Sequence, residues 1–214
     1  MSPQRHGDAG LPATDDRLQG TAGDQRLETI LSTAERLFQE KGYRGVSIRD
    51  LAAAVGVKMS SLYYYFESKD DILYRIIKRH LDHLLSVTSD SLAACASEQD
   101  HAGRLRALVY SSVVCMIHDR AASSVAVSQT RELSGEQRAE LFALLDEFEE
   151  RYTSLISEGM EAGVFVVTDP VIATYVLLGA VARVSLWFRE DGRLTPEEIA
   201  ELYCAQLIRS LLPG

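Results

Sequence analysis

The sequence predicts an all-α protein of about nine helices, a three-helix head followed by a larger helical body. Three observations carry that expectation. From about Asp24 to Leu211 the apolar residues recur at helical spacing, and the helix-start signals Ser47, Ser68, Ser134, Asp169-Pro170 and Thr195-Pro196 punctuate the chain. Gly42 and Gly56 stand where two of the early helices must end. With 214 residues and 46% apolar content the chain has enough material for a core.

Residues 1–23 are rich in Gly, Pro, Asp and Thr and lack periodicity, so a disordered arm is expected. Its Arg5 and Arg17 either stay solvated or reach a minor groove. Residues 24–68 read as a head. Leu27, Ile30, Leu31, Ala34, Leu37 and Phe38 form one stripe, closed by Lys41-Gly42. Ser47 caps a short helix with Ile48, Leu51, Ala52 and Val55 on one face, because its hydroxyl accepts an orphan amide at the helix start. Gly56 then turns the chain left-handed without a Cβ penalty, into a second helix whose Leu62 and Phe66 pack back on Leu51 and Val55. The opposite side of that helix carries Ser60, Ser61 and Tyr64, flanked by Tyr63 and Tyr65. Small polar residues let a helix start approach base edges and tyrosine hydroxyls reach phosphates, so this helix-turn-helix is the expected double-stranded DNA reader.

Residues 69–214 read as the body. Ser68 with Asp71 opens a long amphipathic rod with Ile72, Leu73, Ile76, Ile77, Leu81, Leu84 and Leu85, ending near Ala96. His80 and His83 lie three apart on it, but no third ligand of matching spacing follows, so no metal is expected. Arg104 to His118 is mostly apolar, Ala121 to Leu133 is shorter, and Ser134 with Gln137 forms an S-x-x-Q capping box before a run through Ile156. Val171 to Phe188 holds one charge, Arg183, and is nearly long enough to cross a membrane. Because that charge is internal, Thr174 and Ser185 are polar and no second span follows, a core helix buried on every side is expected and no membrane. Two C-terminal helices per chain can pair with a second copy, and a homodimer would place two reading helices about 34 Å apart for a palindromic site.

The formal charge of −9 is uneven: Lys41 to Arg79 holds eight basic residues against four acidic, Glu98 to Gly163 six against twelve. An acidic body behind a basic head repels DNA except where the head docks, which disfavours a sequence-independent DNA binder. Cys95, Cys115 and Cys204 are odd in number and lack C-x-x-C spacing, so reduced thiols are expected. No basic cluster precedes an N-terminal apolar run, and a cytoplasmic protein without a cofactor is expected. No nucleophile, base and orienter come together in the sequence, which argues against the alternative of a helical enzyme.

Phe38 to Val57, FQEKGYRGVSIRDLAAAVGV, followed by SLYYYFESKDDIL from Ser61 to Leu73, resembles the DNA-binding head of the TetR family of transcriptional regulators. The resemblance implies operator contacts at Arg49, Met59, Ser60, Ser61, Tyr63, Tyr64, Tyr65 and Lys69, beside the cap Ser47. Lys58 stands where the family often has Ser or Thr; a lysine there opposes the helix dipole unless a phosphate is near, so Lys58 is expected to hold one. It further implies a homodimer through the last two helices and a small-molecule effector enclosed by the central ones. Glu158 to Phe165 and Trp187 to Ile199 are similar to members that sense acyl-CoA thioesters. Val109, Val113, Met116, Ile117, Phe148, Tyr152 and Trp187 are then candidates for an apolar slot, with Arg131 and Arg183 as cations for phosphates or, alternatively, as interface ion pairs.

Overall fold

The computed structural model describes the backbone of residues 16–166 and 168–213, with side chains from Gly23 onward. Among these residues there are nine α-helices, one 3₁₀ turn and no strand. In order they are α1 (Asp16–Lys41), α2 (Ile48–Val55), α3 (Met59–Tyr65), α4 (Lys69–Ala93), α5 (His101–His118), α6 (Arg120–Gln129), the 3₁₀ turn Thr130–Glu132, α7 (Gly135–Glu161), α8 (Pro170–Trp187) and α9 (Pro196–Arg209).

Helix α1 starts eight residues before the expected Asp24, so Asp16 to Gly23 is helical rather than disordered. Glycine inside a helix costs only about 1 kcal/mol, and neither Gly20 nor Gly23 stops this one. The remainder of the expected arm, with Arg5 and the side chain of Arg17, lies outside the described residues.

Local capping chemistry sets most other boundaries. Ser47 Oγ accepts from Asp50 N at 3.2 Å while the Asp50 carboxylate accepts from Ser47 N at 2.8 Å, a reciprocal box at the start of α2. Gly56 closes α2 at φ 75, ψ 35. Ser68, Asp169 and Thr195 cap α4, α8 and α9 as their sequence signals predict. The box expected at Ser134 does not form: Ser134 is the N-cap of α7 but its hydroxyl makes no cap bond, and Gly135 follows at φ 61. That left-handed residue turns the first peptide away from the regular start a capping box needs.

The core has two parts. One gathers Ile30, Phe38, Leu51, Leu62, Phe66 and the first half of α4, and extends to Ala122 and Val125 of α6 and to Leu133 and Leu141. The head therefore rests on the body's central helices, and packing does not divide the chain at residue 68. The other part joins the far half of α4 to α5, α7, α8 and α9.

Helix α8 departs from the expectation of burial on all sides. Ala173, Thr174, Leu177, Val181, Val184 and Ser185 face inward. Val171, Ile172, Tyr175, Val176, Leu186 and Trp187 are exposed, Val176 to 61%. By length and composition α8 could cross a membrane, but that test does not distinguish a lipid face from a protein face. Composition gave no polar side because both sides are apolar and only one meets this chain's core.

Candidate functional site

Helix α3 is held from behind and free in front. Leu62 and Phe66 are 1% and 2% exposed in the head core, while Tyr64 on the outer side is 82% exposed. Met59, Ser60 and Tyr63 share the exposed side, and Ser61 is half-buried. Tyr65 is also half-buried, packed on the head core and edge-on to the Tyr64 ring at 5.0 Å. Arg49 is exposed in the first turn of α2. Lys58 is the exposed N-cap of α3 and makes no cap bond, so its ammonium has no helix-internal partner. Lys69 differs from the others: its Nζ donates to the carbonyls of Tyr43 at 3.0 Å and Val46 at 2.9 Å and sits 4.0 Å from the Tyr43 ring centroid. It fastens the loop between α1 and α2, leaving one of its three donors for another partner.

In the body a cavity of about 540 Å³ opens between α4, α6, the 3₁₀ turn, α7 and α8. Its wall is mainly Leu81, Leu84, Met116, Phe142, Leu145, Phe148, Leu178 and Val181, with Arg131 as its one arginine and Glu149 as its one carboxylate. Three of the nine ligand candidates line it: Met116, Arg131 and Phe148. Val113, Ile117 and Tyr152, together with Val109, are packed solidly into the core, the Tyr152 hydroxyl lying 2.9 Å from Ser112 Oγ and 3.2 Å from the Leu108 carbonyl. Arg183 and Trp187 are on the exposed side of α8, and Trp187 stacks on Tyr203 of α9 with ring centroids 6.4 Å apart. Periodicity marks a residue as inward-facing but cannot say whether the space it faces is filled. Leu81 and Leu84 were legible as the apolar side of the rod, and nothing in their spacing marks the gap beside them.

The segment from Ser128 to Glu132 has two sides. Ser128, Thr130 and Arg131 line the cavity. Between and beside them, Gln129 Nε2 donates to the Phe38 carbonyl of α1 at 2.8 Å, and Arg44 Nε meets Glu132 Oε2 at 2.7 Å. Arg79 of α4 also pairs with Glu28 and Glu35 of α1. Helices α4 and α6 thus connect the cavity wall to the head.

A second, smaller hollow of about 350 Å³ is lined by Glu35, Arg79, His80, His83, His118 and Asp119. His83 Nδ1 lies 2.7 Å from Asp119 Oδ2, and Cys115 Sγ is 3.9 Å from both. The His80 side chain has no exposed surface, and neither of its ring nitrogens has a hydrogen-bond partner. The imidazoles of His80 and His83 hold the Asp119 carboxyl down at about 2, while burial and the same carboxylate push the Cys115 thiol up to about 12. Sequence spacing along α4 does not show this group, because Cys115 and Asp119 come from a different helix.

A head that presents a short, exposed tyrosine-bearing helix, tied to a helical body with an apolar cavity, defines a DNA-binding regulator that carries sensor and reader in one chain. Residues 30–76 match the family model for bacterial regulatory proteins of the tetR family, and residues 98–211 match the tetracyclin repressor-like C-terminal domain. The chain belongs to the TetR family: it is a transcription regulator and not an enzyme. It is 28% identical over 202 residues to the HTH-type transcriptional repressor KstR2 of Rhodococcus jostii strain RHA1, covering 94% of this chain and 97% of that one. Among solved structures, the regulator PfmR of Thermus thermophilus is 32% identical with a TM-score of 0.76, covering 84% of this chain and 97% of its own. AibR, solved in complex with isovaleryl coenzyme A and operator DNA, is 25% identical with a TM-score of 0.76, covering 88% and 99%.

Proposed function

We propose that the chain is a cytoplasmic repressor that binds a palindromic operator as a homodimer and releases it when an acyl-CoA thioester enters the cavity beside α6. The observation that carries this reading is the two-sided segment Ser128 to Glu132, which lines the cavity with one set of residues and holds the head with the other. A cavity of about 540 Å³ suits the acyl chain, and Arg131 is the cation placed to meet a coenzyme A phosphate. That AibR binds isovaleryl coenzyme A supports the ligand class.

On DNA, Ser60 and Ser61 bring the start of α3 to base edges, with Met59 and Tyr63 beside them. Tyr64, Tyr65, Ser47, Arg49, Lys58 and the remaining donor of Lys69 contact the backbone. The exposed apolar side of α8, with α9, forms the dimer interface, and Arg183 belongs to that surface rather than to the ligand site. A thioester that favours one arrangement of α4 and α6 shifts the population toward heads spaced wrongly for the operator.

Fluorescence anisotropy of the purified protein on its own upstream intergenic DNA, with and without a panel of acyl-CoA thioesters and at two salt concentrations, tests the reading. Competitor-resistant binding abolished by a thioester is the expected result. Specific binding that no thioester alters would overturn the ligand class, and binding governed by salt alone would overturn operator reading.

A further inference from the structure

At and beside the small hollow between α4 and the joint of α5 with α6 lies a set of donors of which only His80 also lines the larger cavity. His80 and His83 come from adjacent turns of α4, and Cys115 and Asp119 from adjacent turns at the end of α5, so two pairs at helical spacing face each other. One ligand atom each from His80, Cys115 and Asp119 can be chosen so that all three lie within 4.8 Å of one another. His80 Nδ1 is 3.7 Å from Asp119 Oδ2, beyond hydrogen-bond reach, and Cys115 Sγ is 3.9 Å from the same oxygen. In a tetrahedral zinc site the bond lengths set ligand-to-ligand edges of about 3.3 Å between nitrogen and oxygen and about 3.6 Å to sulfur. Contractions of a few tenths of an ångström would bring the two edges to Asp119 onto such a figure, and the third, from His80 to Cys115, closes from within 4.8 Å. The His83 side chain, 51% exposed, is free to move from its present 2.7 Å to the fourth corner.

The buried imidazole is the second, independent sign. An imidazole with no exposed surface and two unpartnered nitrogens loses hydrogen bonds that water would supply, a cost that native proteins rarely leave uncompensated. Nδ1 aimed toward Asp119 is oriented as a ligand.

We infer that His80, His83, Cys115 and Asp119 form a binding site for a divalent transition-metal ion of the zinc class. Two imidazoles, a carboxylate and a thiolate suit that class and not magnesium or calcium, which prefer oxygen ligands throughout. On binding, the metal–sulfur bond replaces the S–H bond of Cys115 and one proton passes to solvent. The ion would clamp the middle of α4 to the joint at Asp119, and His80, which also lines the larger cavity, would be shared by the two sites.

The test is a titration of the full chain, freed of metal with a chelator and kept reduced, with cobalt(II) and then zinc(II). One cobalt per chain is expected, with the intense visible bands of tetrahedral geometry and a near-ultraviolet thiolate-to-cobalt charge-transfer band, both erased by zinc. Cys115→Ser should lose the charge-transfer band, and His83→Ala and Asp119→Asn should each weaken binding by about 100-fold or more, since even outer-shell changes reach that size. His83 and Asp119 are partly exposed, so these variants fold, and zinc should raise the melting temperature of the parent and not theirs. Weak octahedral cobalt spectra without a charge-transfer band, or equal affinity in the His83→Ala and Asp119→Asn variants, would overturn the site.

Discussion

Replacing Val176 by glutamate should convert a dimer into monomers without unfolding the chain. Val176 is 61% exposed in the single chain, on the side of α8 that carries Val171, Ile172 and Tyr175. Full burial of a valine is worth about 1.5–3 kcal/mol, so covering the exposed portion contributes about 1–2 kcal/mol per chain. A two-fold interface counts the residue twice, giving about 2–4 kcal/mol, or about 30- to 1,000-fold in the dissociation constant, before the charge is considered. Two carboxylates brought into an apolar interface add several kcal/mol of desolvation in the same direction. Sedimentation velocity over a concentration series reads the dissociation constant. Circular dichroism and thermal melting read the fold, which a substitution at an exposed position should alter by no more than about 0.5 kcal/mol. Operator binding should fall with dimerisation, because one head holds only half a site. A Val176→Glu protein that stays dimeric at the parent's concentrations would refute the assignment of this surface.

Other outcomes follow from single contacts. Tyr64→Ala, at an 82% exposed position, should weaken operator binding by about 10-fold or more while leaving dimerisation and melting unchanged. Gln129→Met should barely change stability, because the Phe38 carbonyl still accepts from Gly42 N and the unpartnered Gln129 Oε1 is removed. The bond it deletes is worth about 1 kcal/mol, so the thioester-induced loss of operator affinity, read by anisotropy, should shrink about 5-fold. Gly159→Ala places a Cβ 2.2 Å from the buried Phe165 ring and should lower the urea midpoint by about 1–3 kcal/mol of stability. The hydroxyl and amide of Ser47 hold the Asp50 carboxyl below its ordinary value. Its capping contribution is therefore present above about pH 4 and lost as pH falls through the depressed folded value. Asp50→Asn should flatten that part of the stability curve as pH falls below about 4 in urea titrations.

What was legible in the sequence is what is decided locally. Ser47, Ser68, Asp169 and Thr195 announce their helices because a cap involves only the next two or three amides. The glycine at 56 announces its turn because no other residue takes φ 75 cheaply. The outward set on α3 was likewise legible, since Leu62 and Phe66 fix the inward side of a short helix. Ser134 failed through its neighbour Gly135, whose backbone angle is not written in an S-x-x-Q pattern. The cavity and the histidine cluster were not legible because each is made by helices far apart in the chain. Tyr152 and Phe148 have the same inward periodicity, yet only Phe148 meets open space. Cys115 looked like an ordinary core thiol until α5 was laid against α4.

The length of α4 sets how small a ligand's mechanical effect needs to be. Leu84, in the cavity wall, is fifteen residues from Lys69 at the head end, a lever of about 22 Å at 1.5 Å per residue. Tilting that lever by about 5° carries a reading helix about 2 Å, and two-fold symmetry doubles the change in separation to about 4 Å. One step along B-DNA is about 3.4 Å, against a spacing of about 34 Å between half-sites. A rotation too small to disturb any helix would make the dimer miscount its operator by a base pair.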